Sequence, residues 1–87
     1  MRNMETEIQE TIQDVLKGIV LSLVNNPSDV KIVHSKSEVL DVFEIHVAKS
    51  DRGKVIGKQG VMAKALRHVV LSMCAKHNLR GILEICD

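Results

Sequence analysis

Gly57-Lys58-Gln59-Gly60 sets two glycines three residues apart around a lysine and a glutamine. Glycine removes the side chain, so a backbone partner can approach closely. If a helix begins at this turn, its amino end adds free N–H groups and a partial positive charge. Together these make a seat for phosphate oxygens. Lys58 supplies a mobile cation, Lys54 and Lys64 flank it, and Arg67 lies one helical turn beyond Lys64. Residues 49–67 hold Lys49, Arg52, Lys54, Lys58, Lys64 and Arg67 against Asp51 alone, a local charge of +5. Residues 1–30 hold Arg2 and Lys17 against Glu5, Glu7, Glu10, Asp14 and Asp29, a local charge of −3. A chain with a net charge of only +1 is therefore polarised, with its positive end at the glycine turn. Such a field favours a phosphate-bearing partner.

The spacing alone is weak, because a GxxG arises by chance in roughly one chain of this length out of two or three. On spacing alone the turn reads as a plain connection between helices. Its flanks and the charge cluster centred on it favour phosphate contact. Other chemistries lack their parts. No paired carboxylates or nucleophile–base motif is present, and Gly57–Gly60 is too short for a Walker loop. His68 near the turn is a lone histidine, and one histidine is not an acid–base mechanism. The chain is thus expected to be no enzyme. Cys74, His77 and Cys86 offer three soft ligands but only one short-spaced pair, and Cys74 falls on an apolar helix face. A buried structural cysteine is the better reading, and neither metal nor cofactor is expected. His34, His46 and His68 are scattered, as surface or edge histidines are.

The elements that must position the turn follow from periodicity. Ile8, Ile12, Val15, Leu16, Ile19, Val20 and Leu23 share one helical face and predict a helix over 4–25. Glu5, Glu7 and Glu10 sit at its dipole-favoured start, and Asn25-Asn26-Pro27 stops it. Gly18 inside it points to close packing there, and Leu21 falls off the apolar face. Val30–Ser35 predicts a short strand and Val39–Ala48 a longer one, with Phe43, Ile45 and Val47 on one side and Glu44 and His46 on the other. Lys36-Ser37-Glu38 joins them as a hairpin. Ser50 or Asp51 caps a short helix over about 52–56. After Gly60 a long helix runs to about His77, with Met62, Leu66, Val69, Val70 and Met73 inward and Lys64, Arg67, His68 and Leu71 outward. Ile82–Cys86 closes the chain as a strand. The prediction is an α+β domain of order α-β-β-α-α-β, a three-stranded sheet covered on one face by helices.

Composition sets the outer bounds. A chain of 87 residues, 45% hydrophobic and 26% charged, is sized for one folded domain. The longest apolar run is interrupted by Lys17 and too short for a bilayer, so no membrane contact is expected and a cytoplasmic location is. Two free cysteines fit a reducing compartment. With one Phe and no Trp or Tyr, the chain lacks the aromatic platforms on which RRM and OB-fold modules stack bases.

Val55-Ile56-Gly57-Lys58-Gln59-Gly60, with upstream Asp51-Arg52-Gly53-Lys54 and downstream Ala63-Lys64-Ala65-Leu66-Arg67, resembles the KH domain, whose GxxG loop clamps about four nucleotides of backbone. The element order is similar to the type II, bacterial form, and size and order together resemble small bacterial RNA-binding proteins made of a single KH domain. One departure is Ala63, where a larger aliphatic residue is common. The resemblance implies one KH domain over residues 1–87 that binds single-stranded RNA. Gly57 to Gly60 would carry the nucleic-acid backbone and Ile56 would line the groove floor. Lys54, Lys58 and Lys64 would meet phosphates, with Gln59 in the loop and Arg67 beyond it. Residues around Phe43 to Val47 would form part of the wall opposite the helices. The implied role is that of an RNA chaperone or post-transcriptional regulator, with a link to cell shape or cell-wall control in some bacteria. Single-stranded DNA is a further ligand of such domains. The alternative is a module whose main task is protein pairing. Leu71 would then lie on a homodimer surface, and a larger KH-containing protein (KhpB, also called Jag or EloR) would be a second partner.

Overall fold

The computed structural model describes residues 3–86; Arg2, counted above in the acidic half, lies outside them. Helix α1 spans Met4–Leu21 and is capped by Asn3, whose side chain accepts the Thr6 N–H at 2.8 Å. Ile12, Leu16 and Val20, at four-residue spacing, are wholly buried. The helix stops four residues earlier than its apolar pattern suggests. The Asn25 and Asn26 amides that would extend the ladder are bonded instead to the carboxylate of Asp51. A 3₁₀ turn, Pro27–Asp29, then leads into the sheet. Gly18 has no packing role: a Cβ built there meets nothing within 4 Å.

Strand β1 (Lys31–Lys36) pairs antiparallel with β2 (Asp41–His46). The hairpin is wider than expected, closed by Ser37 N–H to Leu40 C=O at 2.9 Å, so Val39 lies in the turn and not in the strand. After β2 come a 3₁₀ turn (Lys49–Asp51), α2 (Arg52–Ile56), a second tight turn (Lys58–Gly60), α3 (Val61–Lys76) and β3 (Gly81–Ile85). β3 runs parallel to β2, in register from Asp41↔Gly81 to Ile45↔Ile85, which gives the order β1-β2-β3. A parallel neighbour requires a crossover, and α2 with α3 supplies it. The expected α+β order α-β-β-α-α-β is therefore the observed one.

Helices α1 and α3 cover one sheet face. Ile12, Leu16 and Val20 meet Phe43, Ile45 and Leu83 from the strands, Val55 from α2, and Leu66, Val70 and Cys74 from α3. Cys74 packs against Gly81, where an added Cβ would come within 2.5 Å of the sulfur. Burial pushes its thiol pKa up, with the nearby Asp41 charge adding to the effect. This is an inert core cysteine, as expected. Of the inward residues expected on α3, Leu66 and Val70 are buried and Met62, Val69 and Met73 half-buried; Ala63 and Cys74 complete that face.

Candidate nucleic-acid interface

The turn between α2 and α3 has a backbone that few sequences tolerate. Gly57 sits at φ 79°, ψ 169°, a region open essentially to glycine alone. A Cβ there would lie 2.8 Å from both the Cβ and the amide nitrogen of Met62. Gln59 (φ 57°) and Gly60 (φ 76°) are left-handed, and Gly60 donates to the Gly57 carbonyl at 3.0 Å. The N-cap of α3 is Gly60, which has no side chain to cap it. Left-handed Gly60 followed by right-handed Val61 (φ −63°, ψ −39°) is an alternation that turns successive backbone N–H groups into a concavity suited to anions, here at the foot of a 16-residue helix. Lys58 and Gln59 are exposed on it.

Apolar side chains stand on both sides of the turn. Ile56 is 39% exposed at the end of α2, and Val61 63% at the start of α3. Its neighbour Val55 is fully buried and anchors α2 to the core. Lys64, Arg67 and Leu71 are exposed along one stripe of α3. Leu71 lies about 16 Å along the axis from Gly60, at 1.5 Å per residue. Arg67 and Leu71 meet Ile82 and Leu83 of β3 around an open cleft of ≈ 280 Å³. The wall beside α3 is thus β3. Of the stretch Phe43 to Val47, expected to form part of the groove wall, Phe43 and Ile45 are fully buried beneath the helices on the central strand, and Glu44, His46 and Val47 are half-buried.

Asp51 fixes where this site begins. It does not cap α2 with its side chain, contrary to its sequence reading. Its buried carboxylate reaches back to α1's end and accepts the Asn25 N–H at 3.1 Å, the Asn26 N–H at 3.0 Å and Asn26 Nδ2 at 2.9 Å. The backbone N–H of Asn25 is the largest influence holding its pKa below the ordinary value of 3.8. Burial opposes the shift, while both Asn26 donors and Lys54 assist it. Lys54 Nζ lies 3.4 Å from Asp51, so one expected phosphate ligand is drawn partly onto a carboxylate. Sequence reasoning missed Val61, Ile82 and Leu83 as surroundings of the site. The exposed valine directly after the second glycine was the available signal for Val61; nothing in the sequence announces β3 as the wall.

The parallel β2–β3 pair, the helix–turn–helix crossover and the GxxG turn at its corner define a type II KH domain. Residues 13–85 match the family model described as KhpA/KhpB, KH domain. The chain is 40% identical over 74 residues to the "RNA-binding protein KhpA" of Clostridium acetobutylicum, covering 85% of this chain and 99% of that one. It is 36% identical over 76 residues to proteins of the same name from Chlamydia pneumoniae (87% and 97% covered) and Bacillus subtilis (87% and 94%). The chain belongs to the KhpA/KhpB KH-domain family.

Proposed function

We propose that the protein binds single-stranded RNA through the Gly57–Gly60 turn, acting by binding and not by catalysis. The observation that carries this is the turn's backbone: a glycine-only conformation at Gly57 and left-handed Gln59 and Gly60 at the foot of α3, with the Lys58 and Gln59 side chains exposed. RNA phosphates would sit on the turn and meet Lys58, Lys64 and Arg67, with Lys54 competing against its own Asp51. Bases would lie over Ile56 and toward the Arg67–Leu71–Ile82 cleft. Four such cations give a salt slope of log K on log[salt] of about −3, from −0.7 per phosphate on a single strand. One KH domain occupying residues 1–87, reading few nucleotides, suits an RNA chaperone or post-transcriptional regulator of the cytoplasm. A tie to cell shape or wall growth follows from the family resemblance. No helix among the described residues is long and apolar enough to cross a membrane.

The test is fluorescence anisotropy with short single-stranded RNA at low salt, comparing wild type with Lys58→Asp/Gln59→Asp. Both glycines stay, so the turn stays. Binding by wild type and its loss in the folded double variant are expected; equal binding by both, or by neither, sinks the proposal.

A second reading rests on Leu71, 54% exposed, and Ile82, 39% exposed, beside the edge strand β3. These would pair two copies of the chain, or one copy with a larger KH protein of the KhpB kind. Arg67 lines the same cleft, so the two readings compete for one surface. Sedimentation of wild type and Leu71→Glu separates them. A concentration-dependent dimer lost in the variant supports pairing, and a wild-type monomer at high concentration removes it.

A further inference from the structure

The sheet face left open by the helices carries a ligand set that no sequence spacing announces. Glu44 and His46 sit two apart on β2, so both point to that face. His46 Nε2 lies 3.0 Å from Glu44 Oε1. Cys86, just past β3, is held beside them by its N–H bond to the Ile45 carbonyl at 2.9 Å, one step beyond the Ile45↔Ile85 pair. The carboxylate oxygen, the imidazole nitrogen and the sulfur all lie within 4.8 Å of one another, and all three residues are half-buried.

We propose that Glu44, His46 and Cys86 form a site for a thiophilic divalent cation, Zn²⁺ by preference. One thiolate, one imidazole and one carboxylate make a mixed soft and borderline set that suits zinc over magnesium or calcium. Bound at 2.0–2.3 Å in a tetrahedron, three such atoms stand about 3.3–3.8 Å apart. The limit within which the three atoms now lie exceeds that spacing by about 1 Å, so binding requires the side chains to close inward by that much. The fourth position faces solvent and takes water or a donor from outside the chain. Glu84, in register with Glu44 on β3, adds negative charge to the same face, while Lys31, opposite His46 on β1, opposes it. The site is separate from the glycine turn and differs from the Cys74–His77–Cys86 grouping, since Cys74 is buried on the inner face of α3.

The test uses the full chain, reduced and metal-free, titrated with Co²⁺ and then with Zn²⁺ in competition. Wild type is expected to take up one equivalent and to give a thiolate-to-cobalt absorption band that Zn²⁺ abolishes. Cys86→Ser should lose the band, and His46→Ala should weaken affinity at least about tenfold, since even loss of an outer partner costs that much. Glu44→Gln should weaken it less, and Cys74→Ala should leave it unchanged. Circular dichroism confirms that each variant is folded; if Cys86→Ser is not, Cys86→Ala replaces it. The proposal is overturned if wild type takes up no stoichiometric metal at micromolar concentration. It is equally overturned if uptake persists in Cys86→Ser and His46→Ala, or if the band follows Cys74.

Discussion

Strand β2 begins at one buried carboxylate, Asp41, and leads to another, Asp51, five residues past its end. The two are satisfied differently. Asp41 is held by side chains: Gln9 Nε2 from α1 at 2.8 Å and His34 Nε2 from β1 at 2.6 Å. Around it lie the Glu5–Lys36 ion pair and the His34–Phe43 ring contact. His34 lies on the edge strand β1, in line with its sequence reading as a surface or edge histidine, and there it serves a structural bond. Asp51 is held chiefly by main-chain amides of the segment that follows α1. The same chemistry thus ties a helix to the hairpin at one end and the connection after α1 to the segment before the glycine turn at the other. Substitutions should separate the two.

The largest effect is expected at the turn. Gly57→Ala forces a residue with a side chain into glycine-only backbone, costing about 1–3 kcal/mol of strain, and drives its Cβ into Met62. RNA affinity should drop by more than tenfold as the turn moves, read by anisotropy. Gly60→Ala meets open space and bears only the left-handed penalty of about 1–2 kcal/mol. If Gly60→Ala damages binding more than Gly57→Ala, the turn is not held by the Gly57–Met62 contact.

Next comes the contrast between the carboxylates. Asp41→Asn keeps one acceptor oxygen for Gln9 and His34 and should destabilise by about 1–3 kcal/mol in urea unfolding, with RNA affinity of the folded protein unchanged. Asp51→Asn turns an amide group toward the Asn25 and Asn26 donors. It should lower the urea midpoint and also weaken RNA binding, because α2 loses its tether. Equal RNA affinity in both folded variants would dissolve the distinction between the two ends.

Acid sharpens it further. Asp51 has a folded pKa below its ordinary 3.8, so the unfolded chain takes up the proton first as pH falls. The stability this group contributes is present above pH 3.8 and is lost as pH drops through the folded value. Urea midpoints between about pH 5 and pH 2 should fall less steeply in Asp51→Asn than in wild type. Parallel curves would show that this carboxylate is not linked to folding.

The comparison also marks what the sequence conveys. Local patterns carried the fold: the four-residue spacing of Ile12, Leu16 and Val20, the alternation at Phe43 and Ile45, and the glycine turn before Val61. What they missed depends on partners far along the chain. Asp51 reads as a helix cap because its neighbours are helical; its real partners lie 25 and 26 residues upstream. Gln9 carries no local signal for its burial, which rests on Asp41, 32 positions away. The full burial of Phe43 and Ile45 likewise depends on helices distant in the chain, and no local pattern announces it.

The smallest effect tests the inert side of the comparison. Gly18 was read from the sequence as a close-packing position, but it is exposed, with open space where a Cβ would stand. It belongs to neither carboxylate end and touches no part of the glycine turn. Alanine there adds no clash and removes the conformational freedom that glycine gives the unfolded chain. Gly18→Ala should therefore raise stability by up to about 1 kcal/mol, seen as a higher urea midpoint at unchanged slope, with RNA affinity equal to wild type. A loss of stability would mean that this face of α1 is covered in solution by something other than water, and Leu21, 38% exposed one turn further on, would be the first residue to examine.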